Sequence, residues 1–237
     1  MTFFFEPRPG WITVGGADHL MYILCLAAAA FLLIWKRGWV REHAVGVRRG
    51  VLVASVVQQA TLYGMYWATG WNWGESLPLY ISRVSALLCV AYLATGSRRV
   101  MDVLFYFGLW AWISFAYPQQ VWPFWNLFGW TFLVNHMITL LMPVLAWVTT
   151  DWRPTRQAIR PALGWMAVNL LVAVAVNAVT GGDYFYQQSM PVVGFLGQPW
   201  YLLGTLGVGL LLCQIGYGAS RLVPDGGAAV PILQPVD

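Results

Sequence analysis

Seven apolar runs follow one another along this chain, and its arginines stand almost only in every second gap between them. The runs are His19 to Trp35, Val51 to Thr69, Leu77 to Thr95, Met101 to Tyr117, Thr131 to Thr149, Leu163 to Thr180 and Trp200 to Ser220, with the fourth expected to be the shortest helix. Each approaches the ~20 residues that a helix needs to cross the hydrocarbon core of a bilayer. An all-α fold is therefore predicted, a polytopic bundle of seven transmembrane helices over residues 1–222. The stretch 223–237, with Pro224, Gly226, Gly227, Pro231 and Pro235 and no helical period, reads as a disordered cytoplasmic tail.

Composition agrees, since 59% of the side chains are apolar and 9% charged, whereas a soluble domain is about a quarter charged. Seven spans use roughly 140 residues. The remainder suffices only for loops and tails, so no separate nucleotide-binding domain fits and no nucleic-acid partner is expected. The single lysine, Lys36, lies beside a span and not within one, which excludes a retinal Schiff base. Cys25, Cys89 and Cys213 each sit in an apolar run, and neither a structural disulfide nor a Cys metal site is expected.

The first run has Ala27 to Ala30 near its middle, which resembles the cleavage site of a signal peptide. Its flanks argue against that, because Asp18 precedes the run while Lys36, Arg37, Arg41, Arg48 and Arg49 follow it. It reads as a retained helix. Loop charge also sets orientation. Alternate loops, with the segment after the last span, carry Lys36, Arg37, Arg41, Arg48, Arg49, Arg98, Arg99, Arg153, Arg156, Arg160 and Arg221, against Arg8 alone in the other set. This predicts a plasma (inner) membrane protein with its N-terminus outside and its C-terminus cytoplasmic. The outside loops are instead crowded by Trp71, Trp73, Trp122, Trp125 and Trp130, with Pro118, Pro123, Pro191 and Pro199. They serve either as interfacial anchors or as the lining of a lipid-facing mouth.

Polar residues within spans must be paired or line a cavity. Ser82 and Arg83 in span 3, Asn135 and His136 in span 5, and Asn177 near the outer end of span 6 fall at similar depth, with Asp183, Tyr184 and Tyr186 just beyond. A hydroxyl, an imidazole and amide donors at one level supply the parts of a nucleophilic site, with Ser82 as nucleophile, His136 as base, and Asn135, Asn177 or Tyr80 as orienting group or oxyanion donor. The plainer alternative makes Ser82, Ser85 and Cys89 a small-residue packing seam and His136 a satisfied hydrogen-bond partner. Arg83 either pairs with Glu75, Asp183 or Asp18, snorkels, or anchors a lipid phosphate. Gln58 and Gln59 are expected to donate between helices. His19 at the mouth of span 1 offers too little, even with His136, for a metal or haem site; no cofactor is expected.

Leu77-Pro78-Leu79-Tyr80-Ile81-Ser82-Arg83, Tyr106-Phe107-Gly108-Leu109, Asn135-His136, the segment from Asn177 to Tyr184, and Trp200-Tyr201 together carry a resemblance. In order and spacing they resemble the YwaF-type family, which includes bacterial membrane proteins of unassigned role and an animal seven-helix phospholipid acyltransferase. In that family the span 3 motif usually reads Leu-Pro-Leu-His-Leu-Cys, with the cysteine as proposed acyl carrier and the span 5 histidine as its partner. The resemblance assigns that histidine to His136, the cysteine position to Ser82 and the motif histidine to Tyr80. It implies lipid acyl transfer through a Ser/His pair, and the polar residues near that level, Arg83, Tyr80, Asn135, Asn177, Asp183, Tyr184 and Glu75, are expected around a phospholipid or acyl lipid in the outer leaflet. The alternative is a non-catalytic lipid-binding or transport subunit, partnered by another membrane protein of an envelope-assembly complex.

Overall fold

The structure is a computed structural model that describes residues 3–5, 10–189, 195 and 197–223. The expectations for Arg8, Pro191 and the tail beyond Val223 lie outside the described residues. The described chain is all-α: α1 (Ala17–Trp35), α2 (Arg37–Glu42), α3 (Ala44–Thr69), α4 (Ile81–Thr95), α5 (Arg98–Ala116), α6 (Leu127–Thr150), α7 (Ile159–Thr180) and α8 (Trp200–Ser220), with three short 3-10 segments.

Each apolar run contains one helix, and α2 is an addition within the arginine-bearing connection after α1. Five helices are long and apolar enough to cross a bilayer: α1, α5, α6, α7 with its 3-10 lead-in, and α8. The protein is thus a polytopic membrane protein, with two of the seven runs departing from the simple pattern. Helix α3 has the length, at 26 residues, but Arg48, Arg49, Gln58 and Gln59 dilute its apolar character. Helix α4 has only 15 residues, about 22 Å at 1.5 Å per residue. It is shorter than α5, which has 19, so the third run and not the fourth gives the shortest of these helices. The cause is local. Pro78 disfavours helical geometry at Leu77 and lacks an N–H of its own, and Leu77 to Tyr80 are turn and bend before α4 opens at Ile81. Gly96 then closes the helix at φ 66°, in the left-handed region, its N–H bonding Tyr92 O at 2.7 Å.

Helix α6 is the centre of the bundle, packing on α1, α3, α4 and α5, while α5, α7 and α8 form a second packed group. Over half of the apolar window of α6 is buried (56%), against 17% in α1 and α8, whose Leu24, Phe31 and Leu211 face outward. Asn126 starts α6 by accepting from Phe128 N at 2.9 Å. Two ends of different chemistry result. At the basic end, Arg41 of α2 donates to Val148 O at the C-terminus of α6 (3.1 Å) and pairs with Asp151 (3.3 Å), a cation placed at the negative pole of a helix. Trp152 Nε1 reaches Asp102 there at 3.0 Å. At the aromatic end, Ile12 N bonds Val121 O (2.9 Å), Tyr22 Oη bonds Trp122 O (2.8 Å) and Tyr184 Oη bonds Trp73 O (2.7 Å). The segment before α1 and the connections α3–α4, α5–α6 and α7–α8 therefore meet as one assembly.

Candidate functional site

Arg83 lies in the first turn of α4, and its side chain turns back over the preceding connection. Its Nη1 donates to the backbone oxygens of Glu75 and Leu77, the latter at 3.1 Å, and its Nη2 donates to the Tyr66 hydroxyl. The guanidinium lies 5.1 Å from the Tyr66 ring and 4.9 Å from the Tyr80 ring, within cation–π range. The expected ion pair with Glu75, Asp183 or Asp18 is corrected by this geometry. Glu75 contributes its carbonyl, Asp183 accepts from Gln188 N (2.7 Å) and Ser189 N (3.2 Å), and Asp18 accepts from Phe124 N (2.9 Å). The sole ion pair between side chains among the described residues is Arg41 with Asp151. Arg83 thus makes its direct contacts with carbonyl oxygens, the Tyr66 hydroxyl and aromatic faces. Its place near the positive N-terminal pole of α4 strengthens the local positive potential.

The connection beneath Arg83 is held by α7 and the turn that follows it. Helix α7 ends at Gly181, φ 68°. Asn177, four residues earlier, accepts from Tyr184 N (2.8 Å) and donates to Tyr184 O (3.0 Å). Tyr184 in turn donates to Trp73 O and accepts from Leu77 N at 2.9 Å. Gly182 and Gly74 touch backbone to backbone, so a Cβ on Gly182 would stand 2.6 Å from the Gly74 Cα. Phe185 and Tyr186 hold positive φ angles of 61° and 53°, a left-handed conformation unfavourable to bulky residues. The Asn177 clamp and Tyr201 Oη on Phe185 O (3.3 Å) hold that turn. Both amide ends of Asn177 thus bond the backbone of Tyr184, which makes it a structural pin of that turn. Tyr80 packs on Tyr184 and Tyr186 with ring centroids 5.2 and 6.0 Å apart. Burial pushes the Tyr184 hydroxyl up from its ordinary pKa, and burial with help from the Asp183 charge pushes Tyr186 up to about 12. Both stay neutral donors at any ordinary pH.

Ser82 and His136 belong to different hydrogen-bond systems. Ser82 is half-buried, and its backbone oxygen accepts from Asn135 Nδ2 at 3.2 Å. Asn135 Oδ1 accepts from Thr139 at 3.5 Å, and Cys89 lies 3.9 Å from the Thr139 hydroxyl, so these polar groups stitch α4 to α6. Ser85 bonds only its own helix, at Ile81 O. His136 is 2% exposed and points toward α5. Its Nδ1 meets Phe132 O at 2.9 Å, and its Nε2 meets Ser114 Oγ at 3.2 Å. A carbonyl can only accept, so for neutral imidazole the proton is on Nδ1 and Nε2 presents a lone pair to Ser114, whose hydroxyl also has Ala111 O within reach as an acceptor at 3.1 Å. Phe132 and Phe115 flank the ring, at 4.0 and 5.8 Å between centroids. His136 thus has a serine partner, but that serine is in α5 and not in α4. Sequence reading missed Ser114, although its place in the last turn of span 4 put it at the depth of His136.

The other polar residues named from the sequence serve the scaffold. Gln58 Nε2 bonds Thr131 O (3.1 Å), joining α3 to α6, whereas Gln59 reaches only Gln58. His19 accepts from Gly15 N (2.9 Å) at Nδ1 and donates from Nε2 to Phe115 O (3.0 Å), so both ring nitrogens are in use. Among the described residues no group of three or more His, Cys, Asp or Glu could hold a metal ion. A sequence model described as TMEM164 family matches residues 14–217. No curated protein and no solved structure matches.

Proposed function

This chain belongs to the TMEM164 family, and from that premise we propose that it transfers acyl groups on membrane lipids, with His136 as general base and a serine as nucleophile. One observation carries the reading. The His136 ring is oriented through Nδ1 by Phe132 O, and its Nε2 faces a serine hydroxyl at 3.2 Å, the arrangement that activates a weak hydroxyl nucleophile. The resemblance of Leu77 to Ser82 to the motif of an animal seven-helix phospholipid acyltransferase supports the same chemistry.

In the proposed reaction the serine oxygen attacks the carbonyl carbon of a lipid ester while Nε2 takes the hydroxyl proton. Collapse of the tetrahedral adduct breaks the bond to the lipid alkoxide, which leaves with that proton. The acyl-serine then passes its acyl group to a second hydroxyl or to water by the same steps in reverse. Ser114 takes the nucleophile role on geometry. Ser82 has the competing claim of the motif position and a hydroxyl that no side-chain hydrogen bond occupies. Labelling of the full chain by a fluorophosphonate with a lipid-like tail separates them. Expected is loss of labelling in Ser114→Ala and a fall of about 10²–10⁴-fold in His136→Ala, with Ser82→Ala unchanged. Loss in Ser82→Ala alone moves the acyl carrier to the motif position, and indifference to all three substitutions overturns the acyl-transfer reading.

The membrane setting belongs to the same proposal. All seven long helices cross the bilayer, with Leu77 to Tyr80 completing the crossing of α4, and the basic end faces the cytoplasm. That puts the aromatic end and the N-terminus outside a plasma (inner) membrane, with residues 223–237 inside. A second reading, a lipid-binding or transport subunit without chemistry and with a membrane-protein partner, is favoured by Arg83, which bonds carbonyl oxygens and the Tyr66 hydroxyl and no carboxylate. It predicts lipid binding without probe labelling.

A further inference from the structure

We infer that the outward face of α8 is the contact of a two-fold dimer, in which Gln214 of each copy bonds Gln214 of the other between two exposed glycines. The inference goes beyond the acyl reading and does not rest on it. It uses only that α8 is long and apolar enough to cross a bilayer.

An amide side chain in hydrocarbon must find a partner, because lipid tails offer neither donor nor acceptor. The eight α-helices hold six such amides, and five of them bond within the chain. Gln58 bonds Thr131 O, Gln59 bonds Gln58, Asn135 bonds Ser82 O, Asn169 bonds Leu79 O and Asn177 bonds Tyr184. Each of the five is buried or half-buried. Gln214 is the sixth; it is exposed and has no hydrogen bond among the described residues. The helix ends six residues further on, at Ser220, about 9 Å along its axis. That is farther than the amide extends, so Gln214 stays within the apolar stretch.

The glycines of α8 divide by side. Gly209 and Gly216 face the bundle, where a Cβ would stand 3.0 Å from Met166 Sδ and 2.7 Å from Leu109 Cδ1, so close packing on α7 and α5 accounts for both. Gly207 and Gly218 are exposed, with nothing among the described residues within 4 Å of a Cβ. Glycine weakens a helix relative to alanine, and no contact inside the chain calls for it at these two positions. Gly207, Leu211, Gln214 and Gly218 follow at intervals of four, three and four residues, the repeat that keeps one face of a helix against a partner helix. At about 100° per residue they lie within about 60° of one another.

The occupant that fits this face is a second copy of the chain. Copies share one orientation in the membrane, so a two-fold axis along its normal sets each residue of α8 against its own equivalent at the same depth. Glutamine is self-complementary, since Nε2 donates and Oε1 accepts, and two Gln214 side chains satisfy each other with two reciprocal bonds. The exposed glycines on either side let the two backbones approach closely enough for those bonds to form.

The test is the monomer–dimer equilibrium of the purified full chain in liposomes, read by energy transfer between labelled copies as lipid is added. Gln214→Leu should weaken the dimer about tenfold or more, the worth of two interhelical hydrogen bonds in a membrane. Gly207→Leu should weaken it at least as much by filling the contact. It should not lower the unfolding midpoint, because open space surrounds that position within one copy. In native membranes, and in a background without the native cysteines, Leu211→Cys should form a disulfide-linked dimer on oxidation. Leu24→Cys on α1, exposed to a similar degree at 63% against 59%, should not. A dimer unaffected by both leucine substitutions, a wild-type chain that stays monomeric at the highest protein-to-lipid ratio, or a Leu211→Cys product joined to a different protein overturns the two-fold contact. None of these readouts depends on fluorophosphonate labelling, so the dimer and the acyl reading fail separately.

Discussion

Replacing Asn177 by Ala tests whether the aromatic end is held by one side chain. Asn177 is 4% exposed and Tyr184 is fully buried, so neither Tyr184 N nor Tyr184 O has water to replace the two bonds at 2.8 and 3.0 Å. An unsatisfied buried backbone group costs about 1–3 kcal/mol, so two cost about 2–6 kcal/mol. For a chain of this size 1 kcal/mol shifts the unfolding midpoint by about 2–4 °C, which gives a fall of roughly 4–24 °C. The assay is thermal unfolding of the full chain in one detergent, followed by tryptophan emission, because Trp71 and Trp73 sit on the connection that Tyr184 holds. Asn177→Asp provides the control. It keeps an acceptor for Tyr184 N but sets a carboxylate oxygen against Tyr184 O, so it should be at least as damaging as Ala despite its near-identical shape. Tyr184→Phe, which removes only the links to Trp73 O and Leu77 N, should fall between wild type and Asn177→Ala. An Asn177→Ala midpoint within about 2 °C of wild type would show that the 181–189 turn is held by other contacts, and would refute the clamp.

Three further outcomes follow from other parts of the bundle. Gly182→Ala should destabilise by about 1–3 kcal/mol through overpacking, since its Cβ meets the Gly74 backbone, while Gly64→Ala, with open space around it, should be neutral or raise stability by up to ~1 kcal/mol; equal midpoints would refute the close approach. Asp151→Asn should cost no more than about 1 kcal/mol, because the Arg41 pair is partly exposed, at 29% and 23%, and a loss several times larger in the same unfolding assay would show that the pair anchors the basic end. In a background without the native cysteines, Asn72→Cys and Gly38→Cys should react with a membrane-impermeant maleimide from opposite sides of intact cells or vesicles. Reaction from one side would sink the proposed topology.

The sequence by itself determined which stretches become helices and which ends those helices share. Runs such as Leu163 to Thr180 have too much apolar surface for any other conformation in lipid, where backbone groups must bond within their own segment. The alternation of arginine with tryptophan separated the basic end from the aromatic end. Pro78 held the signal for the late start of α4, which a hydropathy run overrides. Depth was legible too, since each helical residue adds 1.5 Å, and it set Ser82, Arg83, Asn135 and His136 near one level.

Direction around the helix axis was not legible, and the tertiary structure decided it. Neighbouring residues on a helix differ by about 100°, so Asn135 turns to α4 and bonds Ser82 O while His136 turns to α5 and bonds Ser114. No pattern within one segment specifies which neighbour occupies each direction, because that depends on how all the helices pack on α6. For the same reason Arg83 bonds carbonyls and Tyr66 where a carboxylate was expected: a long side chain chooses among groups that only the assembled fold brings within its reach.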